Sequence, residues 1–419
     1  MSQTAIRPLK VLIIGAGTGG LCLAHGLRSV GVAVRVFERD HTPTDRIQGY
    51  RLNISATGNR ALKACLPGAN YQRFVEASAT SSSSVTFLDQ HLKRLLRINI
   101  PPVDRASIES ERPVSRIALR RVLLDGVEDL ITFGRTFERY EDGPDGHVTA
   151  HFQNGLSESA DLMVGADGAS SRVARQLLPS AHRIDTGIVA ISGRFPIDDL
   201  SKRNTPTPVF QGPTLIVGPP GVFMFASAVE YPPEADPIYD RDQYVMWGIS
   251  ARREDFALPS APEHLSPEEA RSVALAKMTG WAPALREMVA RADPTYITAF
   301  SVKTASEVGP WRTRNVTLLG DALHNMTPFR GMGANAALYD AELLRGAIIE
   351  VANDRTALEP ALATYERAMI EHGFRAVRSS LADMKLLHAE ALIQRALMKA
   401  MFRLLDAAPP LQRAFRGQR

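Results

Sequence analysis

The sequence holds few cysteines and no long apolar run. Its 419 residues include two cysteines, Cys22 and Cys65, which excludes a disulfide framework, and their spacing does not match a metal site. No segment is long and apolar enough to cross a membrane as a helix. The first ten residues lack the apolar stretch and cleavage site of a signal peptide. We therefore expect a cytoplasmic chain that binds no metal and no membrane.

Charge is also nearly balanced outside one segment. The net charge is +4, and residues 378–419 contain eight Lys or Arg against three acids. No extended basic face with interleaved aromatic residues is evident, so a nucleic-acid partner is not expected. The basic C-terminal segment 381–405 also has helical apolar spacing. We expect it to pack across the domains as a bridging helix, with a membrane-surface helix as the alternative.

The pattern of apolar residues predicts an α/β fold with a doubly wound, Rossmann-like nucleotide-binding domain. Residues 10–15 form a continuous apolar run that predicts a strand, residues 21–30 predict a helix, and residues 32–39, with Val34, Val36 and Phe37, predict a second strand that ends in an acid. From residue 180 to 298, prolines separate short β-rich runs, which indicates an inserted antiparallel sheet. Asn154-Gly155 predicts a hairpin, and Arg116 begins a predicted helix to Glu128.

These patterns divide the chain into three parts. The discontinuous nucleotide-binding domain is predicted to comprise 1–70, 103–179 and 298–378. The substrate-binding sheet domain is predicted to comprise 71–102 and 180–297. Residues 379–419 are predicted to form the C-terminal bridging helix.

The glycine-rich segment Gly15-Ala-Gly17-Thr-Gly-Gly20 lies between the first predicted strand and helix. This G-x-G-x-x-G spacing permits a tight turn, close approach of a pyrophosphate and close helix packing. Glu38 ends the next predicted strand, where a carboxylate can accept hydrogen bonds from ribose hydroxyls. Together these features predict a dinucleotide site, but the glycines alone do not distinguish FAD from NAD.

Two further motifs resemble a known family. Gly165-Ala-Asp167-Gly168 resembles the DG motif, and Gly320-Asp321 with its downstream Pro328 and Gly331–Asn335 resembles the GD motif, of the single-component FAD-dependent aromatic hydroxylases and monooxygenases. That family includes para-hydroxybenzoate hydroxylase, salicylate hydroxylase and the tetracycline-inactivating monooxygenases. The resemblance covers nearly the whole chain. It implies tightly bound, non-covalent FAD, with NADPH or NADH as a transient co-substrate that has no Rossmann domain of its own.

The resemblance also implies the reaction. A flavin C4a-hydroperoxide would transfer oxygen from O₂ to a small organic substrate, hydroxylating or epoxidising an aromatic or polycyclic molecule, and no catalytic side chain is required. Two alternatives remain open, namely a flavin oxidase or dehydrogenase of the same fold and a non-catalytic FAD-binding protein. The oligomeric state is left open as monomer or dimer. A bulky secondary metabolite or antibiotic is the favoured substrate, and the absence of an evident carboxylate-binding cluster argues weakly against a simple benzoate.

Site residues carried over from the family fall into two sets. The set implied to bind the cofactor comprises Gly15, Gly17, Gly20, Glu38, Arg39, Arg51, Arg116, Asp167, Asp321, Pro328, Gly331, Met332, Gly333 and Asn335. The segment Arg46–Arg51 is implied to cover the isoalloxazine ring. The set implied to contact substrate comprises Phe223, Phe225, Trp247, Phe329 and Arg330.

Some positions in these motifs depart from the usual family pattern or allow two roles. The usual family arginine after Ser-x-Val is Ala174 here, and the usual Gly-Gln-Gly is Gly331-Met332-Gly333. His324 is a candidate proton-transfer assistant, with a structural role as the alternative. Arg330 is a candidate for binding a substrate oxyanion, and the alternative is a loop brace held by a carboxylate or by backbone carbonyls.

Overall fold

The computed structural model describes residues 9–43, 45, 51–143, 146–231 and 242–408. The segment Arg46–Tyr50, predicted to cover the isoalloxazine, lies outside the described residues. The strands in chain order are β1 (Lys10–Ile14), β2 (Ala33–Phe37), β3 (Arg51–Ile54), β4 (Ser84–Asp89), β5 (Arg94–Asn99), β6 (Arg112–Ser115), β7 (Ile131–Thr132), β8 (Phe137–Asp142), β9 (Val148–Phe152), β10 (Ser157–Ala160), β11 (Leu162–Gly165), β12 (Arg183–Pro196), β13 (Thr214–Val217), β14 (Phe223–Val229), β15 (Tyr244–Arg252), β16 (Thr298–Ala305) and β17 (Val316–Leu318).

The described α-helices in chain order are α1 (Thr18–Arg28), α2 (Ala56–Cys65), α3 (Gly68–Glu76), α4 (Arg116–Leu124), α5 (Arg172–Leu177), α6 (Asp199–Asn204), α7 (Pro208–Gln211), α8 (Pro267–Lys277), α9 (Pro283–Ala290), α10 (Asp321–His324), α11 (Gly333–Ala352), α12 (Leu358–Leu387) and α13 (Leu392–Ala407). No described helix is long and apolar enough to span a membrane.

A five-stranded parallel sheet forms the nucleotide-binding part, in the order β17-β11-β1-β2-β7. The continuous apolar runs become its central strands because both faces of the sheet are covered, with α1 among the elements on β1 and β2 and the three-stranded sheet of β8, β9 and β10 in the same apolar core. The predicted βαβ opening is confirmed by β1, α1 and β2. The predicted fold class, a doubly wound α/β domain with an antiparallel sheet, is also confirmed.

A seven-stranded sheet, in the order β16-β12-β15-β14-β13-β4-β5, is antiparallel except where β13 pairs with β4. One of its faces packs on α8 and α9 through a second apolar cluster. The strand β16 belongs to this sheet because it pairs with β12, although the predicted bounds assigned residues from 298 onward to the nucleotide-binding domain. The domain bounds otherwise stay a prediction.

The remaining strands form two smaller sheets. The order β10-β9-β8 includes the predicted hairpin, with Gly155 at a φ of 80° in the turn between β9 and β10. Strands β3 and β6 pair antiparallel. Helix α4 ends at Leu124, before the predicted Glu128, because Gly126 adopts a φ of 86°, which does not continue a helix.

The C-terminal segment forms two helices where one bridging helix was predicted. Helix α12 ends at Leu387, and α13 begins at Leu392. The break follows from local hydrogen bonds, since Nδ1 of His388 lies 2.8 Å from the Met384 carbonyl and Nη1 of Arg395 donates to the Ala389 carbonyl. Helix α12 packs on α11, whereas α13 packs on β5.

Candidate functional site

The glycine-rich turn and two acidic residues meet at the carboxyl edge of the parallel sheet. Gly15 follows β1, Glu38 follows β2 and Asp167 follows β11, and these three strands are adjacent. In a doubly wound sheet, ligands bind at this edge. The structure therefore brings together three of the predicted cofactor-binding segments.

Backbone crowding explains two of the three motif glycines. Gly15 has a φ of 111°, and a Cβ on it would lie 2.3 Å from the Ala166 carbonyl oxygen. A Cβ on Gly20 would lie 2.2 Å from the Gly15 carbonyl oxygen. In contrast, a Cβ on Gly17 would meet nothing within 4 Å, so this glycine borders open space.

The helix that follows the turn has a bare N-terminus. Gly17 is the N-cap of α1, its first turn contains no acidic residue, and no side chain caps it. Unpaired backbone N–H groups and the positive end of the helix dipole therefore face the open space beside Gly17. This combination suits a pyrophosphate.

Glu38 is buried, and both of its carboxylate oxygens hold backbone N–H groups. Oε2 accepts from Ala16 at 2.7 Å, and Oε1 accepts from Asp40 at 3.1 Å. A carboxylate offers about four lone-pair sites, so acceptor capacity remains for two hydroxyls. Glu38 thus both fixes the glycine turn and can receive a ribose.

Asp167 packs against the same turn. Its Oδ2 accepts from the Arg172 N–H at 2.7 Å, and its Cα would lie 2.9 Å from a Cβ on Gly15. Burial raises the pKa of this carboxyl above its usual range. Its Oδ1 is buried and has no hydrogen-bond partner of normal geometry among the described residues.

A second helix start lies beside the first. A Cβ on Gly19, in the first turn of α1, would meet the Leu319 side chain and the Ala337 carbonyl, so α1 touches the strand end before Asp321 and the second turn of α11. A Cβ on Gly333 would lie 3.7 Å from Oδ1 of Asp321. Helix α11 also begins without a side-chain cap or an acidic residue.

A match to a family model shows which family this chain belongs to. The model described as FAD binding domain matches residues 8–56 and 131–380, which contain all three motifs. The chain belongs to the FAD-binding domain family. The prediction of FAD as cofactor is thereby confirmed, and the relatives and solved structure that follow confirm the resemblance to FAD-dependent monooxygenases.

Individual relatives of this FAD-binding chain are named as monooxygenases. It is 30% identical over 391 residues to a dual O-methyltransferase/FAD-dependent monooxygenase from Cercospora beticola, covering 86% of this chain and 44% of the relative. It is 27% identical to an FAD-dependent urate hydroxylase from Mycolicibacterium vanbaalenii, covering 87% and 85%. The chain spans less than half the length of the first three curated relatives it matches.

A solved structure agrees in fold. The crystal structure of a protein described as an FAD-containing monooxygenase from Photorhabdus luminescens superposes with a TM-score of 0.82 at 32% identity, covering 91% of this chain and 98% of that one. The open space at Gly17, the two uncapped helix starts and the free acceptor capacity of Glu38 fit FAD.

Some predicted cofactor residues have other partners. Nη1 of Arg51 donates to Oγ of Ser227 at 2.8 Å and so ties β3 to the seven-stranded sheet. Asn335 was expected to present its amide to the flavin, but its Oδ1 accepts from the Ser55 N–H and its Nδ2 donates to the Asn53 carbonyl, each at 2.8 Å. Its side chain therefore joins α11 to β3 and α2.

The remaining predicted cofactor residues lie around the turn before α11 or at the surface. Gly331 has a φ of 62°, so it is this glycine, and not Gly333, that needs the left-handed region. Met332 is the half-buried N-cap of α11. The exposed residues of the set are Arg39, Arg116, Pro328 and Gly331.

A row of four half-buried residues crosses the centre of one face of the seven-stranded sheet, one residue from each of four neighbouring strands. Phe225 pairs with Leu215 on one side and Gly248 on the other, and Gly248 pairs with Ser192. All four are half-buried, while the next row, which includes Phe223, is buried. A Cβ on Gly248 would meet only Ser192 Cβ at 3.7 Å and the Ile191 carbonyl at 3.9 Å. We call this row the sheet trough.

An aromatic cluster closes the trough at the turn that leads into α11. The rings of Phe223 and Phe329 lie 5.9 Å apart, and the imidazole of His388 lies 5.1 Å from Phe329 and 6.1 Å from Phe223. Nε2 of His388 lies 2.8 Å from Oγ of Ser250. Because Nδ1 of His388 donates to the Met384 carbonyl, Nε2 of the neutral imidazole accepts a hydrogen bond from the Ser250 hydroxyl, and burial favours this neutral form by lowering the pKa of His388.

The prediction that Trp247 contacts substrate is wrong. Because side chains alternate along a strand, Trp247 points to the opposite face from Gly248. It is fully buried in the cluster beneath α8 and α9, where a Cβ on Gly193 would lie 2.7 Å from its ring.

The two candidate assistants each pair with a carboxylate. Nε of Arg330 lies 2.9 Å from Oδ2 of Asp383 on α12, as the brace interpretation requires. Nε2 of His324 lies 2.6 Å from Oδ2 of Asp340, and both side chains are 0% exposed. Burial favours the neutral imidazole, but the charge of Asp340 and its hydrogen bond outweigh it and raise the pKa of His324. The pair of His324 and Asp340 is enclosed in the protein core, as the structural alternative for His324 requires.

Sequence reasoning missed three residues at the site. Nη1 of Arg120 donates to the Ala16 carbonyl at 2.7 Å and so holds the glycine turn. Its position four residues after Arg116, on the same helix face, is the one signal that could have indicated it. Ser250 and His388 carried no motif. Among the described residues, no group of His, Cys, Asp and Glu could hold a metal ion.

Proposed function

We propose that this chain is an FAD-dependent monooxygenase that uses NADPH or NADH and O₂ to hydroxylate or epoxidise an aromatic or polycyclic molecule. The observation that carries the proposal is the position of the sheet trough. It lies on the face of the sheet that meets Phe329, in the turn that leads into α11. An apolar trough therefore adjoins the nucleotide-binding edge.

The cofactor would be held by the groups already described. The α1 N-terminus would receive the pyrophosphate, Glu38 the ribose, and Asp321 with the Gly331–Gly333 turn the flavin side. FAD, when bound, supplies the redox chemistry that carries electrons from the nicotinamide to O₂. The protein's part is to orient both partners and exclude water from them.

The trough suits a flat, largely apolar substrate. Phe225 supplies an aromatic wall, and the missing side chain of Gly248 leaves room on the floor beside it. Ser192 adds one hydroxyl, which lies 3.2 Å from Oγ1 of Thr298. Phe329 would close the end nearest the flavin. Apolar walls with a few polar groups are typical of small-molecule sites.

Substitution at the trough floor tests the placement. Gly248→Val fills open space on a strand that accepts valine, so FAD content and stability should match the unsubstituted protein. The KM of any compound that accelerates NAD(P)H consumption should rise about tenfold or more, which corresponds to about 1.4 kcal/mol of lost binding. Gly346→Val is the control, because its Cβ also meets nothing within 4 Å but lies at an exposed position of α11. An unchanged KM in Gly248→Val would refute the trough as the substrate site.

Two measurements separate the alternatives. Substrate-stimulated oxidation of NAD(P)H distinguishes an enzyme from a non-catalytic FAD-binding protein. Incorporation of oxygen-18 from O₂ into the product distinguishes a monooxygenase from an oxidase or dehydrogenase.

A further inference from the structure

Helix α13 is anchored to the molecule along one face. Met398 and Phe402 are buried with Leu95, Leu96 and Val217 in a separate apolar cluster. The rings of Phe87 and Phe402 lie 4.6 Å apart. These contacts fix which side of α13 points outward.

Polar contacts reinforce the same orientation. Arg395 is buried and donates to the carbonyls of Ala389 and Gly218. Asp406 accepts from the Arg97 N–H at 2.8 Å and from Nε of Arg94 at 3.1 Å. Arg395, the basic residue nearest the start of α13, and Asp406, the acidic residue of this helix, therefore both make hydrogen bonds within the chain.

The outward face of this anchored helix is apolar. Leu392, Ile393, Leu397 and Leu404 are 74%, 77%, 66% and 61% exposed, and Met401 is 42% exposed. A helix that is apolar on both its inner and outer faces is typical of a buried element. These five side chains expose on the order of 500 Å² per chain, more than scattered surface residues require.

The spacing on this face is that of helix pairing. Ile393, Leu397, Ala400, Leu404 and Ala407 follow one another at intervals of four, three, four and three residues, and all five are exposed. This is the a/d repeat of a two-helix seam, and its two alanines permit close approach. We call these five residues the α13 seam.

We propose that the α13 seam is the interface of a homodimer, in which α13 of a second copy packs against it. A two-fold axis through the middle of the seam makes the patch self-complementary, because each chain offers the same apolar row. If the seam and the exposed Leu392 and Met401 beside it are all covered, two copies bury about 1,000 Å² of apolar side chain, near the lower limit for a specific interface.

A lipid surface fits this face less well than a second copy does. An interfacial helix needs several cationic side chains along its water-facing side. In α13, that side faces the protein, and Arg395 is buried there and hydrogen-bonded to backbone carbonyls. Lys399 and Arg403 are the cations left on this helix outside the buried contacts.

The first test is molecular mass in solution, measured by light scattering on the FAD-loaded full chain. We expect twice 45.8 kDa for the unsubstituted chain. Leu397→Glu should weaken the dimer at least a hundredfold and give the monomer mass, since it places a charge in the seam. The control is Leu200→Glu, which changes a leucine that is 47% exposed on α6 and should leave the dimer intact. A monomeric unsubstituted chain, or equal effects of both variants, would overturn the proposal.

The second test is cross-linking at the seam centre. Ala400→Cys should form a disulfide between copies under mild oxidation, because Ala400 meets its own equivalent near the two-fold axis. Cys22 and Cys65 are buried and should not interfere. Leu200→Cys should remain monomeric on a non-reducing gel. Failure of Ala400→Cys to cross-link, or binding of a monomeric chain to vesicles of anionic phospholipid through Leu397, would refute the seam as a dimer interface.

Discussion

The buried pair of His324 and Asp340 gives the sharpest stability prediction. Oδ2 of Asp340 accepts from Nε2 of His324 at 2.6 Å and from the Gly320 N–H at 2.9 Å. The pair thus joins α10 to α11, and the residue after Gly320 is Asp321. We predict that His324→Leu destabilises the fold by about 3–5 kcal/mol, because it leaves a buried carboxylate without its partner.

The pH dependence of this effect has a definite sign. The folded state raises the pKa of His324, so the contribution of its charge to stability is complete below the usual histidine pKa. That contribution is lost as the pH rises through the raised folded-state pKa. The difference in unfolding free energy between the unsubstituted protein and Asp340→Asn should therefore shrink with increasing pH.

Urea unfolding across this pH range measures both effects, with FAD affinity as a second readout. FAD binding should weaken in His324→Leu because α10 carries Asp321 next to Gly333. The matched control is His372→Leu, a half-buried histidine whose ring lies 4.7 Å from that of Tyr339 and which should cost about 1 kcal/mol. Equal costs for the two variants, or a pH-independent difference for Asp340→Asn, would show that the buried pair is not a charged one.

Three further outcomes are expected. Gly373→Ala should cost about 1–3 kcal/mol in urea unfolding, since its Cβ would lie 2.3 Å from Cδ2 of His324, and an unchanged unfolding midpoint would contradict this packing. Gly17→Ala should retain the unfolding free energy, because the new methyl meets no protein atom, but it should weaken FAD binding about tenfold or more in a fluorescence titration, because the methyl enters the space assigned to the pyrophosphate. An unchanged affinity would show that the pyrophosphate does not lie beside Gly17. Arg330→Ala and Asp383→Asn should each lower the free energy of unfolding by less than about 1 kcal/mol and leave the substrate KM equal to that of the unsubstituted protein. A tens-fold loss of substrate affinity in Arg330→Ala alone would favour the oxyanion interpretation.

The parallel sheet and its glycine turn could be predicted because their determinants are local. Residues 10–20 contain the apolar run, the turn glycines and the helix start in one contiguous segment. Glu38 lies at the end of the next strand, and adjacent parallel strands bring their carboxyl ends to one edge. Chain order alone therefore places the carboxylate beside the turn.

The substrate face could not be predicted in the same way. In β15, residues on both faces are apolar or small, so the sequence does not reveal that Trp247 points into the cluster beneath α8 and α9 while Gly248 points into the trough. The side of the sheet that is covered depends on helices that come later in the chain. A large aromatic residue in a strand is thus weak evidence for a ligand contact.

The end of the site is shaped by the element that sequence reasoning described least. Asp383 lies near the end of α12 and His388 directly after it, where the basic, amphipathic pattern predicted only a bridging helix. Asp383 pairs with Arg330, and His388 packs on Phe329, so two neighbouring residues of one turn are held by side chains from a distant part of the chain. Because that turn leads into α11, a shift of α12 would move both the aromatic end of the trough and the helix start proposed to face the flavin. The geometry of the site is thus set jointly by the glycine-rich edge and by the end of α12.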